Sequence, residues 1–187
     1  MLDKMEFVIV GLNSIGRTLA SLLATGVSGK LTLVDDKTVT SRSIEQGYLP
    51  IDMNMLKVDA IEGALREITF GLEVEKLSKL DEVAVDALAS KISGNTVLFY
   101  CEPISNKSKV HLCKALRNSC QAIYFFGFRD DGTANIFKYK CTSYIQIEDL
   151  TAVPEVDEKE VYAEGRLAAS TAFAMYISSM TRIPVEI

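Results

Sequence analysis

Met5-Glu-Phe-Val-Ile-Val-Gly-Leu-Asn-Ser-Ile-Gly16, with Leu31-Thr-Leu-Val-Asp-Asp36 following it, decides the fold. Met5 to Val10 is apolar and β-branched on both faces, as a central strand of a parallel sheet must be when helices cover both sides. The run ends at Gly11. A helical pattern starts near Ile15, carries Leu19, Leu22 and Leu23 on one face, and is broken by Gly26 and Gly29. Leu31 to Asp35 supplies a second buried strand. Strand, glycine turn, helix and strand within about 30 residues form a βαβ unit, since parallel strands need a crossover connection.

Working outward, Ser41 to Pro50 is polar and predicts a loop or short helix. Asn54 to Ile68 is amphipathic, with Leu56, Ala60, Ala64 and Ile68 at helical spacing. Leu72 to Leu77 reads as a strand, Asp81 to Ile92 as a helix, Thr96 to Cys101 as a buried strand and Ser105 to Asn118 as another helix. Ala122 to Phe126, Ala134 to Lys140 and Ser143 to Ile147 predict further strands, the first two joined through Arg129-Asp-Asp-Gly132, a hairpin signal. Thr151 to Glu160 is an acidic connection, and Gly165 to Met180 a closing helix whose Ala and Ser residues permit close packing. The expected class is α/β and Rossmann-like, a mainly parallel sheet flanked by helices with a late antiparallel extension.

Length and composition narrow the function. The 187 residues fit one domain, 1–187, and the net charge of −5 argues against a nucleic-acid partner, which needs concentrated Lys and Arg. No apolar run approaches the roughly 18 residues of a membrane span, and Phe7 to Val10 is too short for a secretory signal. Cys101, Cys113, Cys120 and Cys141 form no C-x-x-C pair, so they read as buried small hydrophobes in a cytoplasmic protein with reduced thiols. His111, the only histidine, lies in a helical stretch and reads as a packing or surface residue.

Gly11-Leu-Asn13-Ser-Ile-Gly16 stands where a phosphate-binding loop belongs. The first glycine makes the tight turn, the last lets helix and strand approach, and N–H groups at the helix start can hold an anion. Asn13 replaces the usual middle glycine, and asparagine tolerates positive φ better than most residues. Asp35 and Asp36 end the second strand about 20 residues later, where an acid typically accepts ribose hydroxyls.

The stretch from Phe7 to Ile68 resembles the ThiF, MoeB and ubiquitin-activating (E1-like) family. Ala24-Thr-Gly-Val-Ser-Gly-Lys-Leu-Thr-Leu-Val-Asp-Asp-Lys-Thr-Val39 matches its glycine turn and Asp-x-Asp-x-Val strand end. Ser41-Arg-Ser-Ile-Glu-Gln46 is similar to its Ser-Asn-Leu-x-Arg-Gln segment, and Lys57-Val-Asp-Ala60 to the lysine-led helix. Leu98 to Asn106 falls at its Asp-x-x-Asp-Asn turn, Phe126 to Phe137 at its later strand pair, and Glu164 to Ser170 at its last helix. Only the first third of the chain carries the specific motifs.

The family adenylates a carboxylate with ATP, and this chemistry is mostly positioning and neutralisation of phosphate charge. The resemblance implies that Gly11, Asn13 and Gly16 frame the phosphate loop, that Asp35 or Asp36 holds the ribose, and that Lys57 faces the phosphates. It further implies ATP with Mg2+ and a homodimer. Several positions depart from the family. Lys37 replaces the second acid of the strand end, and Glu45 falls about where the phosphate-binding arginine stands, leaving Arg42 to supply that charge. Ser105 replaces the magnesium-linked Asp, with Glu102 as surrogate metal ligand and Asn106 keeping the turn polar. The cysteine-bearing crossover loop of thiol-transferring members is absent from Thr151 to Tyr162, so no thioester step is expected.

Three functions follow. The first is an adenylyltransferase acting on a carboxylate of a small molecule or carrier protein, for instance a cofactor precursor such as the guanylylpyridinol carboxylate of the Fe-hydrogenase cofactor. The second is a catalytically degenerate E1-like subunit that works by dimerising with a partner. The third, a dinucleotide-dependent oxidoreductase, lacks an evident catalytic residue.

Overall fold

The computed structural model describes residues 5–26, 29–69, 72–79, 82–92, 94–102, 106–128, 134–140, 169–171 and 173. Among the described residues six strands form one sheet: β1 (Met5–Val10), β2 (Gly29–Val34), β3 (Leu72–Leu77), β4 (Thr96–Tyr100), β5 (Cys120–Phe128) and β6 (Ala134–Lys140). Their spatial order is β3-β2-β1-β4-β5-β6. The first five run parallel and β6 pairs antiparallel with β5, Phe125 opposite Phe137. This is the mainly parallel, Rossmann-like sheet with a late antiparallel strand that the sequence predicts.

The α-helices named among the described residues are α1 (Ser14–Gly26), α2 (Ser41–Glu45), α3 (Lys57–Ile68), α4 (Glu82–Lys91) and α5 (Asn106–Leu116). The sheet's two faces are buried against different helices. Phe7, Ile9, Leu31, Leu33 and Phe99 pack with Ile15, Leu19 and Leu23 of α1 and Ile61 and Leu65 of α3. Val8, Val10, Leu98 and Ile123 pack on the other face with Leu88 of α4 and Leu112 and Leu116 of α5. Neighbouring residues of β1 therefore both enter a core, which explains its continuous apolar run. Ala169 is fully buried in the α1/α3 core, as the small residues of that segment suggest.

Several boundaries differ from expectation by one to three residues. Helix α3 begins at Lys57 rather than Asn54, because the preceding residues pair with the chain leaving β2. The Val39 N–H donates to the Met55 carbonyl at 2.8 Å, the Asn54 N–H to the Val39 carbonyl at 3.0 Å, and Thr38 bridges Leu56. Asn54 adopts a φ of 69°, which stops a helix from starting there. Strand β5 starts at Cys120, two residues early. The expected turn at Arg129–Gly132, strand at Ser143–Ile147, connection at Thr151–Glu160 and most of the closing helix lie outside the described residues, as does Cys141. Cys101, Cys113 and Cys120 are buried.

The glycines at either end of the turn do different work. Gly11 has a φ of +85°, accessible at low cost only without a side chain. At Gly16 a Cβ would collide with the Gly11 carbonyl and press on Ile9. The first turn of α1 rests directly on the backbone that ends β1. Gly16→Ala should therefore destabilise the fold by roughly 1–3 kcal/mol, the usual range for overpacking. A urea unfolding midpoint equal to that of the parent chain would contradict this contact.

Candidate functional site

The strand order reverses between β1 and β4, and in open parallel sheets ligands enter at such a switch point, beyond the carboxyl ends of the strands. Gly11 to Gly16 leave β1 there, and Cys101 and Glu102 leave β4. The crevice between them is bridged by the protein itself. The Asn13 carboxamide donates through Nδ2 to the Cys101 carbonyl at 2.5 Å. Its Oδ1 accepts the N–H groups of Ile15 and Gly16, each at 3.1 Å. Asn13 is thus the N-cap of α1.

This revises the reason for an asparagine in the loop. Among the described non-glycine residues only Asn54 has positive φ, so Asn13 is not there for that tolerance. Its side chain instead supplies the acceptor that an anion would provide. The amides of Ile15 and Gly16, expected to cradle a phosphate, already have an internal partner.

Asp35 is likewise committed. It is 4% exposed. Its Oδ2 accepts the Leu12 N–H at 2.7 Å and its Oδ1 the Lys37 N–H at 2.8 Å. A carboxylate so enclosed braces the turn rather than gripping a ribose. Asp36, beside it, is exposed and is the acid of this pair that a sugar can reach.

Glu102 lies over Gly11, where any side chain would collide with it. Burial raises its carboxyl above the ordinary range. The Lys37 ammonium, 3.5 Å away, opposes that shift, and the Asp35 charge adds to it. No three His, Cys, Asp or Glu side chains are grouped for a cation among the described residues. Glu102 is paired to the Lys37 ammonium at 3.5 Å. Asn106 opens α5, and Ser105 lies outside the described residues.

A basic cluster stands on the α1/α3 side of the turn. Tyr48, 3% exposed, donates its hydroxyl to the Leu12 carbonyl at 2.6 Å. Lys57 Nζ lies 5.6 Å from the centre of the Tyr48 ring and the Arg17 guanidinium carbon 5.7 Å from it. Lys57 opens α3, is buried, and donates its N–H to the Lys37 carbonyl at 3.0 Å. The structure thus gathers Gly11, Asn13, Gly16, Asp35, Glu102 and Lys57 around one turn. Arg42 is exposed on α2. Arg17 and Tyr48 were missed in the sequence. Arg17 had only its place four residues after the N-cap as a signal, and Tyr48 sat in a stretch read as loop.

A glycine turn at the switch point of a doubly wound sheet, with a lysine-led helix beside it, defines a Rossmann-type fold. The resemblance to the ThiF, MoeB and E1-like family holds in both sequence and fold. The chain is similar to the molybdopterin-synthase adenylyltransferase of Haemophilus influenzae, 28% identical over 147 residues, covering 74% of this chain and 57% of that one. Among solved structures it is similar to PaaA, with a TM-score of 0.77, 15% identity, and coverage of 100% of this chain and 58% of PaaA. It is also similar to MccB of E. coli solved with ATP, with a TM-score of 0.67, 15% identity, and coverage of 95% and 56%. The chain spans somewhat over half the length of these relatives. No family model matches it. No helix among the described residues is long and apolar enough to cross a membrane.

Two outcomes test this geometry. Asn13→Ala removes the cap and should cost about 0.5–2 kcal/mol of stability; an unchanged denaturation midpoint would mean the cap contributes nothing. Glu102 has a raised folded pKa, so its contribution to stability is complete below the ordinary glutamate range and is lost as pH rises through the elevated value. Glu102→Gln should therefore remove a decline in melting temperature that the parent shows as pH rises above the ordinary glutamate range. A parent-like pH profile in that variant would contradict the burial of this carboxyl.

Proposed function

We propose that this chain is an ATP-dependent adenylyltransferase that activates a carboxylate without a thioester step. Lys57 carries the reading: a buried lysine opens α3 beside the ring of Tyr48, whose hydroxyl is bonded to the glycine turn. An ammonium placed there neutralises charge on phosphates at the switch point. Likeness to an enzyme named an adenylyltransferase, and to a protein solved with ATP, supports the same chemistry.

In the reaction a carboxylate oxygen attacks the α-phosphorus of ATP. The bond from that phosphorus to the bridging oxygen breaks, and the electron pair leaves with pyrophosphate, giving an acyl-adenylate. Asp36 takes the ribose hydroxyls and Lys57 the phosphates. The acceptor is a small-molecule carboxylic acid, such as a cofactor precursor, or a carrier-protein tail. Homodimerisation is part of the proposal. It is supported by the exposed apolar run of Leu49, Ile51, Met53, Met55 and Leu56 next to the site.

A second reading, a catalytically degenerate E1-like subunit, is favoured by Asn13, whose carboxamide holds the amides that a phosphate would use. Calorimetry with ATP, AMP and NAD, together with pyrophosphate exchange, separates the two. The enzyme reading predicts ATP binding and exchange that depends on a carboxylate. Lys57→Ala should weaken ATP binding by about 1 kcal/mol or more, the scale of a charge-assisted contact. Unchanged affinity would remove Lys57 from the site, and silence toward every nucleotide would leave the subunit reading.

A further inference from the structure

Arg17 occupies an electrostatically unfavourable place for a cation. It is the fourth residue of α1, near the helix end whose dipole repels positive charge. Its guanidinium shares the Tyr48 ring with the Lys57 ammonium, so two like charges converge on one aromatic side chain. Arg17 makes no ion pair with a described residue. Contact with an aromatic ring offsets only part of that repulsion. A polyanion between the two cations removes it and gains charge-assisted bonds to both.

The surrounding residues leave this charge to Arg17. The Ile15 and Gly16 amides are held by Asn13. Glu45 stands where the resemblance calls for an arginine, and both Glu45 and Arg42 are exposed on α2. Arg17 is only partly exposed, and its ring partner is bonded to the turn itself through the Leu12 carbonyl.

We propose that Arg17, rather than Arg42, replaces the missing arginine and holds the polyphosphate of ATP together with Lys57 across the Tyr48 ring. This rests on the ATP reading above and names the residue that completes its site. The bidentate guanidinium suits phosphate oxygens better than a lysine would.

The test compares the full-length parent chain with Arg17→Gln, Arg17→Lys and Arg42→Gln, titrating each with ATP and with adenosine. Arg17→Gln is expected to weaken ATP binding roughly tenfold or more, the range of a charge-assisted contact. Adenosine affinity should stay unchanged, Arg17→Lys should recover part of the loss, and Arg42→Gln should bind ATP as the parent does. Unchanged ATP affinity in Arg17→Gln overturns the assignment, as does an equal loss for ATP and adenosine or a larger effect of Arg42→Gln. If the parent itself fails to bind ATP, the adenylyltransferase reading falls, and the assignment falls with it.

Discussion

One buried carboxylate ties the end of the sheet to everything that projects from it. Asp35 stands where β2 stops, and its two oxygens take the Leu12 N–H of the glycine turn and the Lys37 N–H of the outgoing chain. Hydrogen bonds to an ionised, enclosed acceptor are among the stronger ones in proteins, about 1.5–3 kcal/mol each. Losing them would leave two amide donors and a bent chain without a fixed course. The order passes further, because the Lys37 carbonyl accepts the N–H of Lys57 and so fixes where α3 begins. Leu12, held by Asp35 on one side, offers its carbonyl to Tyr48 on the other. The positions of Lys57 and Tyr48 therefore descend from a single acid.

Asn13 adds a second constraint at the same place. A glycine in the middle of the loop leaves the helix amides open for an anion, whereas the asparagine fills them and bridges to β4 through Cys101. The helix gains a permanent cap, and in the proposed function phosphate recognition passes from backbone amides to side-chain cations. That shift gives a physical sense to a feature otherwise difficult to rationalise, two cations sharing the Tyr48 ring beside the turn.

The fold was readable because its signals are local and redundant. Continuous apolar strands, a glycine turn and amphipathic helices each implied a parallel sheet covered on both faces, and β6 followed from the late strand pair. The site was legible only in outline. Gly11 and Gly16 bound the turn and Lys57 opens α3, but which of Asp35 and Asp36 is enclosed depends on burial, which adjacent positions in sequence do not reveal. Asn13 was read through backbone tolerance because the Cys101 carbonyl lies 88 residues away in the chain. Arg17 escaped notice for a similar reason: its meaning comes from Tyr48 and Lys57, brought to it by the β2–α3 connection.

A crystal structure with a non-hydrolysable ATP analogue addresses the central claim most directly. The account predicts phosphates lying beside Tyr48 between Arg17 and Lys57, with the Asn13 carboxamide still bonded to the amides of Ile15 and Gly16. Phosphates seated on those amides with Asn13 swung aside, or a nucleotide bound away from the glycine turn, would contradict it.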